Sequence, residues 1–287
     1  MRLLVLRPWR IFGLVLCLGV LVLAGIGYRN AVAMPLVRRA TFRLPGWPPG
    51  RPPLKLLLLA DLHVEAPETG ARRVASIADQ IDALHPDIII AAGDFVGSRA
   101  ERTDFPERVL PVLAKLSAPL GVYAVLGNHD HMAGSTRIAA ILGRAHVRVI
   151  GDSPIQAGPL VIGGLDDYTK GWDRSIADET ALYRRMRLLP GARVLVAHSP
   201  DQFPRVPLDI PLMLAGHTHC GQIALPFFGP LLTGSDYGRR YACGIIREHG
   251  SVLVVTAGLG TSHVPLRFGA PPDIWLIELG GGNEGAR

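Results

Sequence analysis

The residues able to do chemistry in this chain sit in short blocks, each closing an apolar run. Asp61 and His63 close "LKLLLLADLH", Asp94 closes "DIIIAAGD", and Asn128, His129 and Asp130 close "VYAVLGNHD". Further on, His198 closes "RVLVAH", and His217 and His219 close "LMLAGHTH". Carboxylate, imidazole and carboxamide groups together suit borderline divalent cations such as Mn, Fe and Zn. The cysteines, Cys17, Cys220 and Cys243, are not clustered, so a thiolate-based structural zinc site is not expected. The candidate ligands in these blocks are too many for one ion with open positions, and fit two ions sharing a bridge.

Such a site needs strands that end at one rim. The apolar runs at 54–60, 86–94, 121–130, 193–199 and 211–219 read as those strands, followed by 241–248, 251–258 and 273–279. Residues 71–85 carry Val74, Ile77, Ala78, Ile81 and Leu84 on one helical face. Helices are also expected over 105–116, with Pro111 inside, and over 135–145. Strands alternate with helices and then follow one another directly, which predicts an α/β layered domain. In open sheets of that class, ligands sit outside the carboxyl ends of the strands. Alternate side chains of an extended chain share a side, so Asp61 with His63, and His217 with His219, are expected to converge as strand neighbours.

Taken in order, D-x-H, G-D, G-N-H-D, H and G-H-x-H resemble the motif blocks of the calcineurin-like metallophosphoesterase superfamily. With "GRRYACG" and "TSHVPLRFGAPP", the chain resembles the membrane-associated bacterial phosphodiesterase subgroup, similar to UDP-2,3-diacylglucosamine hydrolases. The resemblance implies a β-sandwich flanked by helices over 54–280. It implies Asp61, His63 and His219 on one metal, Asn128, His198 and His217 on the other, and Asp94 between them. Phosphodiester or pyrophosphate hydrolysis by metal-activated hydroxide would follow, with His129 as general acid and Asp130 orienting that neighbourhood. A soluble nucleotide as substrate, or a non-catalytic metal-binding or interaction protein on the same fold, are the other readings.

Residues 11–28, "IFGLVLCLGVLVLAGIGY", carry no charge and lie between Arg10 and Arg29. They approach the length of a membrane span, about 20 residues. An uncleaved single-pass anchor is expected; a cleaved signal ending at Ala31–Ala33 is the other reading, with Arg29 against it. Arginines lie on both sides, so the side of the membrane stays open. The chain thus divides into a basic segment 1–10, the anchor 11–28, a basic and Pro/Gly-rich linker 29–53, the catalytic domain 54–280 and a tail 281–287.

The formal net charge of +6 is concentrated near that anchor. Arg2, Arg7, Arg10, Arg29, Arg38, Arg39, Arg43 and Arg51 precede the domain with no acid among them, and the remainder is net −2. That distribution and the membrane segment both speak against a nucleic-acid phosphoesterase, the third reading. A phosphoester substrate that can be lipid-linked, and the membrane itself, are the expected partners. Arg239 and Arg240 can bind a substrate phosphate or form a solvated turn. Residues 223–232, "IALPFFGPLL", read as a buried β-hairpin, or as a lip for an acyl chain or the bilayer. Cys220 and Cys243 can pair, although their spacing does not demand it. Asp166 and Asp167 are either partners orienting a ligand imidazole or a plain turn.

Overall fold

The computed structural model describes residues 8–65, 69–100, 103–151, 153–165 and 176–281. An apolar helix, α1 (Pro8–Ala31), leads into two facing six-stranded sheets. The first sheet runs β1 (Leu36–Arg43), β14 (Asp273–Gly280), β2 (Leu54–Leu59), β3 (Ile88–Ala92), β4 (Val122–Val125), β5 (Val147–Val149). The second runs β12 (Gly244–Glu248), β13 (Ser251–Val255), β9 (Leu212–Ala215), β8 (Ala192–Ala197), β7 (Leu160–Leu165), β6 (Ile155–Ala157). Helices α2 (Ala71–Asp82), α3 (Phe105–Val109), α4 (Asn128–Met132), α5 (Ser135–Arg144) and α6 (Ile176–Arg187), and a small hairpin of β10 (Ala224–Leu225) and β11 (Gly229–Pro230), complete the domain.

The continuous apolar runs have a simple cause. Leu56 and Leu58 of β2, Ile88 and Ile90 of β3, and Val194 and Val196 of β8 fill the layer between the sheets. Their alternates turn outward: Leu57, Leu59 and Ile89 pack against α2, α3 and α5, and Leu195 and Ala197 pack toward α6. A strand covered on both faces has no polar face to show. The expected β-sandwich flanked by helices is therefore the fold observed.

Several local expectations are corrected. The basic half of the expected linker is an edge strand: β1 pairs with β14 from Leu36↔Asp273 to Arg43↔Gly280. The expected helix 105–116 is helical in two pieces, α3 followed by a 3-10 turn over Leu110–Lys115. Pro111 explains the change, because its ring and missing N–H do not allow the α ladder to continue. The expected strand 241–248 begins only at Gly244, and α1 extends beyond 11–28 at both ends. Residues 223–232 do form a hairpin, but Leu225, Phe227, Phe228, Leu231 and Leu232 are exposed rather than buried.

Candidate metal centre

Strands β2, β3 and β4 are parallel neighbours, as are β8 and β9, so their carboxyl ends lie at one rim. The candidate residues follow those ends directly. The convergence does not come from strand alternation, however. β2 stops at Leu59 and β9 at Ala215, and the blocks beyond them lie in left-handed backbone. Asp61, His63, Asp94, His217 and His219 have φ of 54°, 48°, 53°, 69° and 50°. Each such residue costs about 1–2 kcal/mol, a strain that clusters where geometry serves function.

Close approach of the loops requires glycine at two points. Gly93 has φ +84°, and a Cβ there would lie 2.7 Å from both the Gly127 nitrogen and His198 Nδ1. A Cβ on Gly127 would collide with the Asp94 carboxylate. That packing brings the third loop onto Asp94, whose Oδ1 accepts from the His129 backbone N–H at 2.9 Å.

Three overlapping groups result: Asp61 with His63 and His219, His63 with Asp94 and His129, and Asp94 with His198 and His217. Nε2 of His63 lies 3.0 Å from Nε2 of His219, and Asp61 Oδ1 lies 4.0 and 3.7 Å from these nitrogens. Asp94 Oδ2 is 3.5 Å from His63 Nε2 and 3.2 Å from His198 Nε2. His198 Nε2 is in turn 3.1 Å from His217 Nδ1. The outer nitrogens are tied to backbone carbonyls: His198 Nδ1 donates to Ala92 O at 2.7 Å and His217 Nε2 to Gly234 O at 3.2 Å. Each tie fixes a tautomer and turns the other nitrogen's lone pair inward.

The residues fit divalent cations on these grounds. Imidazole nitrogens and two carboxylates converge, the candidate ligand atoms of each group lying within 4.8 Å of one another. The Asn128 carboxamide oxygen is buried at the same rim with no hydrogen-bond partner, an orphan that a cation would satisfy. Burial lifts the Asp61 carboxyl to about 7 against the pull of His198, with the Asp94 charge adding to the rise. Burial also opposes ionisation of Asp94, but His198, His63 and His129 outweigh it and hold that carboxyl below the usual range. Burial pushes the His63 imidazole down to about 3 and His219 well below its ordinary value, so both stay neutral.

Asp130 is buried behind the cluster rather than in it. Its two oxygens accept from the backbone of Val96 at 3.1 Å and Gly127 at 3.0 Å, clamping the second loop to the third. Arg240 is paired with Glu248 by two bonds of 2.9 and 2.8 Å, and Arg239 Nε donates to Pro230 O at 3.2 Å. Cys220 and Cys243 form a disulfide. Asp166 and Asp167 lie outside the described residues. Sequence reasoning missed Arg267, which is fully buried with Nη2 3.3 Å from His219 Nδ1 and bonds to the carbonyls of Ala257, Gly258, Gly260 and Ala270. It lies in "PLRFG", whose single arginine has no patterned partner to reveal it.

A family model, the calcineurin-like phosphoesterases, matches residues 54–221. The chain is 31% identical to the uncharacterized metallophosphoesterase YkuE of Bacillus subtilis, over 81% of each protein. It is 27% identical to a transmembrane protein with metallophosphoesterase domain from Danio rerio, over 90% of this chain and 60% of that protein. Among solved structures it is similar to a dimetal phosphatase from Danio rerio, at 13% identity and a TM-score of 0.42, covering 73% and 88% of the two chains. The family match runs from β2 to the H-x-H loop and so contains every strand end just described: the chain belongs to the calcineurin-like phosphoesterases and is a metal-dependent phosphoester hydrolase.

Proposed function

We propose that this protein is a membrane-anchored two-metal hydrolase of phosphodiester or pyrophosphate bonds in a lipid or envelope substrate. Asp61, His63 and His219 would hold one ion, Asn128, His198 and His217 would hold the other, and Asp94 would serve both. The observation that carries the reading is the Asp94 carboxylate, within 3.5 Å of an imidazole nitrogen from each group. Two divalent ions, when bound, supply Lewis-acid polarisation of phosphoryl oxygens and lower the pKa of water. His129 is half-buried, edge-on to His63 with ring centroids 4.9 Å apart, and open to solvent. It holds a proton beside the phosphoryl group and delivers it to the leaving oxygen as the P–O bond breaks. Asp130 positions His129 through the backbone of its loop.

Helix α1 supports the anchor: the span Trp9–Ala31 has mean hydropathy 2.5 and is almost wholly exposed. Two observations favour the catalytic domain on the extracytoplasmic side. The Cys220–Cys243 disulfide belongs to an oxidising compartment. Arg38, Arg39 and Arg43 belong to β1, a strand of the folded domain, which leaves Arg29 facing Arg2, Arg7 and Arg10 across α1. The excess then lies on the amino-terminal side, the cytoplasmic one by the positive-inside rule. That side disfavours a cytoplasmic UDP-2,3-diacylglucosamine and favours an envelope phosphoester.

The deciding experiment is hydrolysis of bis(p-nitrophenyl) phosphate by the full chain in detergent, stripped and reloaded with manganese, with Asp94→Ala beside it. Metal-dependent turnover absent from the variant is expected. Metal binding without turnover on diesters, monoesters or pyrophosphate would overturn the reading. Protease accessibility of the domain in intact spheroplasts tests its side; protection there would overturn the extracytoplasmic placement.

A further inference from the structure

The sheet topology settles which end of the domain α1 leaves from. β14 runs antiparallel to β2, with Trp275 opposite Leu58, so β14 begins where β2 ends. β1 runs parallel to β14, with Leu36 opposite Asp273, so it also begins there. Helix α1 therefore enters the domain at the rim that carries the metal-ligand cluster, not at the opposite end.

The joint is built rather than loose. Arg73 of α2 donates to the carbonyls of Ala31, Val32 and Ala33 at 3.3, 3.3 and 3.0 Å, capping the end of α1. Arg267 N donates to Gly27 O at 3.0 Å, and Asn30 Nδ2 returns a bond to Arg267 O at 3.2 Å. Gly27 has no side chain because the Phe268 ring would lie 2.6 Å from its Cβ. From Trp9 to Ile26 no residue of α1 is buried, so only its last turn touches the domain.

The same segment that grips α1 also carries the apolar hairpin. Ala224 N donates to Phe268 O at 2.7 Å, one residue from the contact with Gly27. Between Gln222 and Ser235 the chain has no charged residue. Phe227 and Leu232 are 106% and 83% exposed, with Leu225, Phe228 and Leu231 beside them. The stem returns at Gly234, whose carbonyl accepts from His217. Apart from α1 and Leu36 at the start of β1, the other exposed leucines among the described residues are Leu188 and Leu208, which precede β8 and β9 at the end away from the rim.

We infer that the β10–β11 hairpin inserts into the bilayer that α1 crosses, so that the metal rim lies against the membrane and receives phosphoesters from the headgroup plane. This rests on α1 as an anchor and deepens the substrate reading given above. A contiguous apolar tip, uncharged and fixed beside the end of a membrane span, has the lipid surface as its neighbour. The hairpin joins that surface to His217 and His219, so a lipid-borne phosphoester would reach the cluster without leaving the interface.

The test uses the full chain in phosphatidylcholine and phosphatidylglycerol vesicles, with the photoreactive p-benzoylphenylalanine replacing Phe227, or Leu188 as control. Unchanged hydrolysis of bis(p-nitrophenyl) phosphate shows that each labelled protein is native. Illumination is expected to attach phospholipid at position 227 at least about tenfold more than at position 188. Adducts to protein at 227, identifying a second copy or another partner, or equal lipid adducts at both positions, would overturn the inference while the chain stays in the vesicles through a carbonate wash. A chain released by carbonate would overturn the anchor reading and this inference together.

Discussion

The Asp94 carboxylate lies 3.2 Å from Nε2 of His198, and that imidazole is locked from behind by Ala92 O at 2.7 Å. Both contacts come from the second strand and its exit, so β3 supplies the carboxylate and orients the imidazole. Replacing Asp94 by Ala removes the carboxylate that the proposed two-metal reading shares between the ions. We expect turnover of a chromogenic diester to fall at least about 10³-fold, with bound metal reduced as measured by elemental analysis. Full metal content with near-normal turnover would show that Asp94 is not shared.

His129→Ala should separate chemistry from metal binding. Its imidazole is edge-on to His63 and open to solvent, whereas its backbone N–H holds Asp94 and survives the substitution. The expected loss in kcat is about 10²–10⁴-fold with unchanged metal content. The loss should be steepest for poor leaving groups, so a slope of rate against leaving-group pKa checks it.

Gly127→Ala should damage the site without touching a ligand. The new methyl group would meet the Asp94 carboxylate and its backbone, which cannot retreat from a packed strand end. A destabilisation of about 1–3 kcal/mol is expected from overpacking, measured as a drop in thermal midpoint, together with loss of metal-dependent activity.

The disulfide closes a sequence separation of 23 residues and sits next to His219. Its removal in a Cys220→Ala/Cys243→Ala variant should cost about 3 kcal/mol of stability from loop-closure entropy. Because Thr218 also holds this loop, through a 2.6 Å bond to Ala242 O, the fold should survive. Titration of metal into the variant should show weaker binding than in the parent.

Proton release should accompany metal binding at mildly acid pH. In the metal-free folded chain, burial keeps Asp61 protonated up to about 7, whereas its unfolded carboxyl ionises near 3.8. The folded state therefore holds the extra proton between those values, and this group's contribution to stability is lost as pH rises through that window. A cation requires the ionised form, so binding at pH 6 should release about one proton that is no longer released near pH 8. His63, pushed down to about 3, adds none at either pH. Calorimetry in buffers of different ionisation enthalpy measures the difference.

Much of this protein is written locally. Strands buried on both faces read as unbroken apolar runs, so "LKLLLL" and "IIIAA" could be placed without a structure. Ligand types at strand exits, in an order that matches a known family, made Asp61, His63, Asp94, Asn128, His198, His217 and His219 candidates. The long uncharged stretch identified α1 because length and composition alone decide whether a helix is long and apolar enough to span a bilayer. What the sequence could not decide depends on partners distant in the chain. β1 became a strand because β14, more than 200 residues later, offered it an edge. The same lack of a local signal hid Arg267 and the Cys220–Cys243 pairing. Asp130 and Arg240 showed their engagements only once Val96 and Glu248 had been brought beside them. The left-handed backbone at the ligand positions and the exit of α1 at the catalytic rim follow from strand direction and loop closure, which are properties of the assembled sheets.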